Sequence, residues 1–121
     1  MKFKLIAIVN CYVTLNIIKE HNELTFDLAW MIADISGALQ LHYERFEQEK
    51  VKILHKFGSL KDEKTGLFEI APENVEAYKK AAQELENHEI TIQVEKLKRK
   101  DFQTISVPKG TNVSTLKIIL E

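Results

Sequence analysis

With 121 residues, 17 basic against 18 acidic side chains and a formal net charge of −1, the chain has no bulk charge to draw it to nucleic acid or an anionic membrane. Its length is that of a single domain, residues 1–121, able to bury roughly two-thirds of its unfolded surface. A lone cysteine, Cys11, excludes an internal disulfide and fits a reducing compartment.

Phe3 and Leu5 alternate with Lys2 and Lys4 as in a short strand. Residues 6–18 carry two signals. Their β-branched content favours strand, whereas Ile6, Val9, Val13 and Ile17 fall at helical spacing. No Gly or Pro is present to turn a hairpin. The pattern predicts a short strand and then a helix to about Lys19, with strand as the alternative for residues 6–18. Lys2 and Lys4 ahead of Leu5 to Val9, with Cys11 close behind, superficially resemble a lipoprotein leader. The apolar run is shorter than the ~7–15 residues such a leader needs. Asn10 also stands where a small residue belongs, so export is not expected. No stretch approaches the ~18 apolar residues of a membrane span.

The stretch from Thr25 to Phe57 reads as one long helix. Leu28, Ile32, Ile35, Leu39, Tyr43, Phe46, Ile53 and Phe57 recur at steps of three or four, with Lys50 interrupting the series. Thr25 and Asp27 supply the start. Lys56 stands in the last turn, and Gly58 is expected as a left-handed cap. Gly37, after Ser36, is expected to pack closely against another backbone, with a kink as the alternative. A helix of this span is about 50 Å long. A compact body of this chain length is only about 35 Å across. The helix must therefore bend or overhang, and the charged second half, Tyr43 to Lys56, is the expected overhang. Tyr43, Phe46, Glu47, Lys50 and Ile53 are the candidate binding residues there.

Lys64-Thr65-Gly66 marks a turn within residues 59–70, which form a small hairpin or an ordered loop. A calcium-loop register with Gly66 sixth would begin at Lys61 and end at Pro72, and neither is a ligand. Ala71-Pro72-Glu73 opens a helix with the stripe Val75, Tyr78, Ala82 and Leu85, running to about Glu86. That stripe is the natural antiparallel partner for part of the long helix. Residues 89–95 alternate, with Ile90, Ile92 and Val94 on one side of a half-buried strand. Thr104 to Val107 repeats the pattern more briefly. Pro108-Lys109-Gly110 turns the chain, and Thr111 is expected to cap a short last helix with Val113, Leu116 and Leu120 on one side.

Candidate chemistry is sparse. Lys96, Lys98, Arg99 and Lys100 form a basic cluster, a candidate nucleic-acid contact with Phe102 as its nearest aromatic. Glu95 and Asp101 bracket and dilute it, so a solvated loop is preferred. His21, His42, His55 and His88 form no zinc spacing, and His42 is read as packed beside the helix stripe. Cys11 lies in an apolar run, as a buried and inert thiol does. Glu47 and Glu49 share a charged helix face rather than flanking a cleft. No Gly-x-Ser-x-Gly elbow and no glycine-rich phosphate loop occurs. An enzyme, a metal site and a cofactor are not expected.

One succession of signals is distinctive. Lys56-Phe57-Gly58 ends a helix, an acidic turn with Gly66 follows, and then comes Ile70-Ala71-Pro72-Glu73-Asn74-Val75. The next helix closes in Glu84-Leu85-Glu86 before Glu89-Ile90-Thr91-Ile92. This order resembles a family of small uncharacterised proteins encoded by phages and prophages of Gram-positive bacteria. The likeness runs from the long helix to the first C-terminal strand, with Leu24-Thr25 in place of a Leu-Pro type entry. It implies an origin and no mechanism, since the family has no assigned activity. The expectation is an α+β protein: a long-helix antiparallel hairpin, a small antiparallel sheet and a short C-terminal helix. It would act in the host cytoplasm or on the virion by binding protein, itself or a host protein, as a homo-oligomeric virion-assembly or tail-associated component. A free inhibitor of a host defence or regulatory protein is the alternative, and a nucleic-acid-binding accessory protein is the second.

Overall fold

The computed structural model describes residues 2–93, 96–97 and 108–120. Strand β1 (Lys2–Lys4) leads directly into helix α1 (Leu5–His21). The helical reading of residues 6–18 is therefore the right one, and packing is the reason. Leu5, Ile8, Val9, Cys11, Thr14, Leu15 and Ile18 are all buried, too broad a stripe for one neighbour. The long helix covers one side of α1, and the C-terminal segment covers another. Burial on two sides overrides the strand propensity of the β-branched residues.

Helix α2 (Phe26–Phe57) is one unbroken piece of 32 residues. Thr25 caps it, its hydroxyl accepting from the Leu28 N–H at 3.4 Å. The α1–α2 hairpin is antiparallel, as its contacts show in order. Ser36 donates to the Asn16 side chain at 3.4 Å, Tyr43 meets Tyr12, and Phe46 packs with Leu5 and Val9. Leu28, Ile32, Ile35 and Leu39 close the main core against Ile8, Cys11, Leu15 and Ile18.

Two expectations about glycine are corrected. Gly37 is exposed, and nothing lies within 4 Å of the place its Cβ would occupy. It neither packs against a backbone nor interrupts the helix. Gly58 is not left-handed, having φ −114° and ψ 170°. A Cβ there would stand 2.9 Å from the Leu54 carbonyl oxygen and 3.2 Å from that of Glu69. Glycine is needed because the helix end and the following hairpin touch through backbone.

That hairpin is β2 (Gly58–Asp62) with β3 (Leu67–Ile70), in the register Gly58↔Ile70, Ser59↔Glu69 and Leu60↔Phe68, with an irregularity before Asp62↔Leu67. Its turn holds Gly66 at φ 68°, where glycine is at ease. A 3₁₀ turn at Pro72–Asn74 opens helix α3 (Val75–Asn87). The Asn74 side chain donates to the Phe57 carbonyl at 3.2 Å, tying this turn to the end of α2. Leu85, at the other end of α3, packs beside Phe46. α3 is thus antiparallel to the second half of α2, while α1 lines the first.

Strand β4 (Glu89–Thr91) pairs antiparallel with β1, Phe3 opposite Ile90. The strand expected to run to Glu95 ends at Thr91, which lies opposite Lys2, the first residue of β1. Val94 and Glu95 lie outside the described residues, as does the strand expected over Thr104 to Val107. The Leu97 N–H donates to the Ile119 carbonyl at 2.8 Å, and Leu97 bridges Leu120. The last element is a 3₁₀ helix, Val113–Ile119, capped by Asn112 rather than Thr111. Its tighter turn of about three residues sets Ile119 beside Leu116 in the buried core, and Leu120, partly buried, packs against the same cluster. A bond of 2.7 Å between the Thr14 and Thr115 hydroxyls joins it to α1. The fold is α+β: a helical hairpin, two short antiparallel ladders and a short C-terminal helix.

Candidate protein-binding groove

Where α1, α2 and α3 diverge they leave a groove of about 340 Å³. α2 forms one wall with Tyr43, Phe46, Glu47, Lys50 and Ile53, all five of the candidate residues on that helix. The 3.6-residue period brings them onto one side, and Lys50, which interrupts the apolar series, joins Glu47 as a charged member of the wall. Phe46 is buried at the floor with Leu5 and Val9. Tyr43 is held by the Tyr12 ring, with centroids 4.7 Å apart and planes 31° from parallel. Ile53 is half-buried, and Tyr78, Ala82 and Leu85 of α3 face it across the groove.

The second half of α2 is therefore not the bare overhang expected, because α3 and the β2–β3 hairpin pack against it. Here the His55 ring meets Phe68 edge-on at 4.9 Å. The rim carries Asn10 from α1, Glu47 and Lys50 from α2, and Glu86 from α3. An apolar floor with a polar rim can take an apolar side chain or one face of a helix, with orientation set by the rim. The α1 wall, including Val9, Asn10 and Val13, was not foreseen. Its signal was the Ile6, Val9, Val13 spacing, which could not be assigned to a face until the element was known to be helical.

The remaining candidates do not join this site. Lys96 is exposed beside the buried Leu97, while Lys98, Arg99 and Lys100 lie outside the described residues. Among the described residues no three His, Cys, Asp or Glu side chains are placed to hold a metal ion. Burial pushes the Cys11 thiol up to about 12, so it is a poor nucleophile at neutral pH. His42 is half-buried, and its Nδ1 has no hydrogen-bond partner. Burial, and then the charge of Arg45, hold its pKa below the usual histidine range. No described helix is long and apolar enough to cross a membrane.

A second surface escaped the sequence reading. Phe26 and Trp30 are exposed at the start of α2, their ring centroids 5.6 Å apart. The apolar series traced along this helix is the core series, and these rings lie off it. Fold and site together define an α+β protein built on a helical hairpin, with an apolar groove and an exposed aromatic pair among the described residues. The chain matches no protein-family model, no curated protein and no solved structure.

Proposed function

We propose that this chain is a non-enzymatic, phage-derived protein that works inside the host cell by binding protein. Its role is that of a virion-assembly or tail-associated accessory component that oligomerises through α2. One observation carries the reading: α2 is a single 32-residue rod whose own chain leaves Phe26, Trp30, Leu41 and Val51 exposed. Such a rod is about 48 Å long, and α1, α3 and the β2–β3 hairpin pack along it without covering those four side chains. A contiguous exposed apolar patch, such as the adjoining Phe26 and Trp30 rings, marks a contact surface. The test is mass in solution together with fractionation of purified particles. The expected result is an oligomer that co-purifies with virions; a monomer absent from particles would refute it.

The groove favours a second reading, a free inhibitor of a host defence or regulatory protein. A concave apolar site rimmed by Asn10, Glu47, Lys50 and Glu86 fits a single foreign helix better than a flat assembly contact does. A pull-down from host lysate, repeated with Ile53→Asp, separates the two. Under the inhibitor reading one host protein is retained by the native chain and lost with the variant.

A further inference from the structure

Phe26, Trp30, Ala33, Gly37 and Leu41 recur along α2 at steps of three or four, so they share one face, and all five are exposed. This face lies away from the core series of Leu28, Ile32, Ile35 and Leu39. Phe26 is 75% exposed, Trp30 61% and Leu41 49%. The two rings stand as a ridge, each bracing the other at 5.6 Å. Ala33 and Gly37 form a hollow, open above Gly37.

We propose that this face is the contact between two copies of the chain, an interpretation that rests on the oligomer reading above and gives it a geometry. The two α2 helices pack antiparallel about a twofold axis between Ala33 and Asp34. Trp30 of each copy sits over Gly37 of the other, and Phe26 packs against Leu41. In a twofold contact, if one position meets a second, the second meets the first. Ridge and hollow satisfy this condition at once, because the pairs Trp30–Gly37 and Phe26–Leu41 share a single midpoint. A parallel pairing would set Gly37 on Gly37 and leave the hollow empty.

The area is sufficient. Two rings at this exposure remove roughly 300 Å² per copy from water. With Ala33, Leu41 and the polar margin, two copies bury roughly 1,000 Å², the lower limit for a specific interface. A foreign partner has no reason to carry this ridge and hollow in matching register, whereas a second copy carries both.

The experiment is sedimentation of the full chain over a wide concentration range, with four variants. The native chain is expected to show a monomer–dimer equilibrium near micromolar concentration. Trp30→Ala weakens it at least about tenfold. Gly37→Leu weakens it comparably while circular dichroism shows the helix intact, since leucine is the better helix former and space at Gly37 is open. Ala33→Cys forms a covalent dimer on mild oxidation, because helices about 8–10 Å apart bring these positions within disulfide reach. Gly37→Cys does not, its two copies lying roughly 10 Å apart along the axis. Cys11, fully buried, does not compete. A dimer that ignores Trp30→Ala, or in which Gly37→Cys links to itself, overturns this geometry and leaves the oligomer reading standing. A chain that stays monomeric throughout overturns both.

Discussion

Cys11 and His42 show what partial or complete loss of water does to single side chains. The Cys11 thiol is pushed from its ordinary 9.0 to about 12 by burial alone. Between those values the unfolded chain releases the proton and the folded one keeps it. Stability contributed by this thiol is therefore complete below pH 9 and falls as pH rises from 9 towards 12, by at most about 1.4 kcal/mol per pH unit. Cys11→Ala loses packing at every pH but escapes this fall. The stability gap between the two proteins, read from urea unfolding, is expected to be constant up to pH 8 and to narrow above pH 9. A gap that stays constant would mean the thiol reaches water. His42 works in the opposite direction. Its pKa lies below the usual 6.5, chiefly through burial and secondarily through Arg45. The unfolded chain takes up the proton first on acidification, so stability is lost as pH falls below 6.5. His42→Leu also removes an unpartnered buried nitrogen. Denaturation midpoints at pH 7 and pH 5 should show the variant gaining on the native chain at the lower pH.

At the scale of the element, α2 is bounded and filled by recognisable chemistry, yet its two glycines behave in opposite ways. Gly37→Ala meets no neighbour, so it should recover the helical propensity that glycine forfeits, raising stability by about 1 kcal/mol. Gly58→Ala drives a Cβ to 2.9 Å from the Leu54 carbonyl oxygen, and the backbone there has little room to yield. It should cost about 1–3 kcal/mol by overpacking. Thermal melts of the two variants are expected to move apart, with the native protein between them. Sequence spacing could not have distinguished these positions. Along the sequence they differ only in place, one mid-element and one after the last turn. What decides is which backbone approaches each, and that is set by the hairpin β2–β3 folding back onto the helix end.

At the scale of the molecule, the C-terminal 3₁₀ helix and Leu97 complete the core that α1 and α2 begin. Leu116 is buried there, and Thr115 is bonded to Thr14 of α1. Chain segments far apart in sequence thus share one interior, as do β1 and β4. Leu116→Ala is expected to cost about 2–5 kcal/mol. The loss should be global. Trp30 fluorescence, which reports the start of α2, and far-ultraviolet circular dichroism should move together to a lower urea midpoint. Two separated transitions would show that the start of α2 does not unfold together with the rest of the helical core.

The sequence alone determined the long elements. An apolar series at helical spacing, a capping Thr25 and the absence of proline define α2, because those signals are local and repeat over many turns. Pro72 and the stripe from Val75 to Leu85 place α3 for the same reason. The groove was half legible: its α2 wall could be read from Tyr43 to Ile53, and its α1 wall could not. Tertiary structure decided whatever depends on a neighbour that periodicity does not name. It made residues 6–18 a helix by burying them on two sides, and gave Gly58 a packing reason. It ended β4 at Thr91, opposite Lys2, and buried Ile119 with Leu116 by winding the last helix in threes. It also left Phe26 and Trp30 uncovered, since only the arrangement of the other elements determines which faces of a helix meet water.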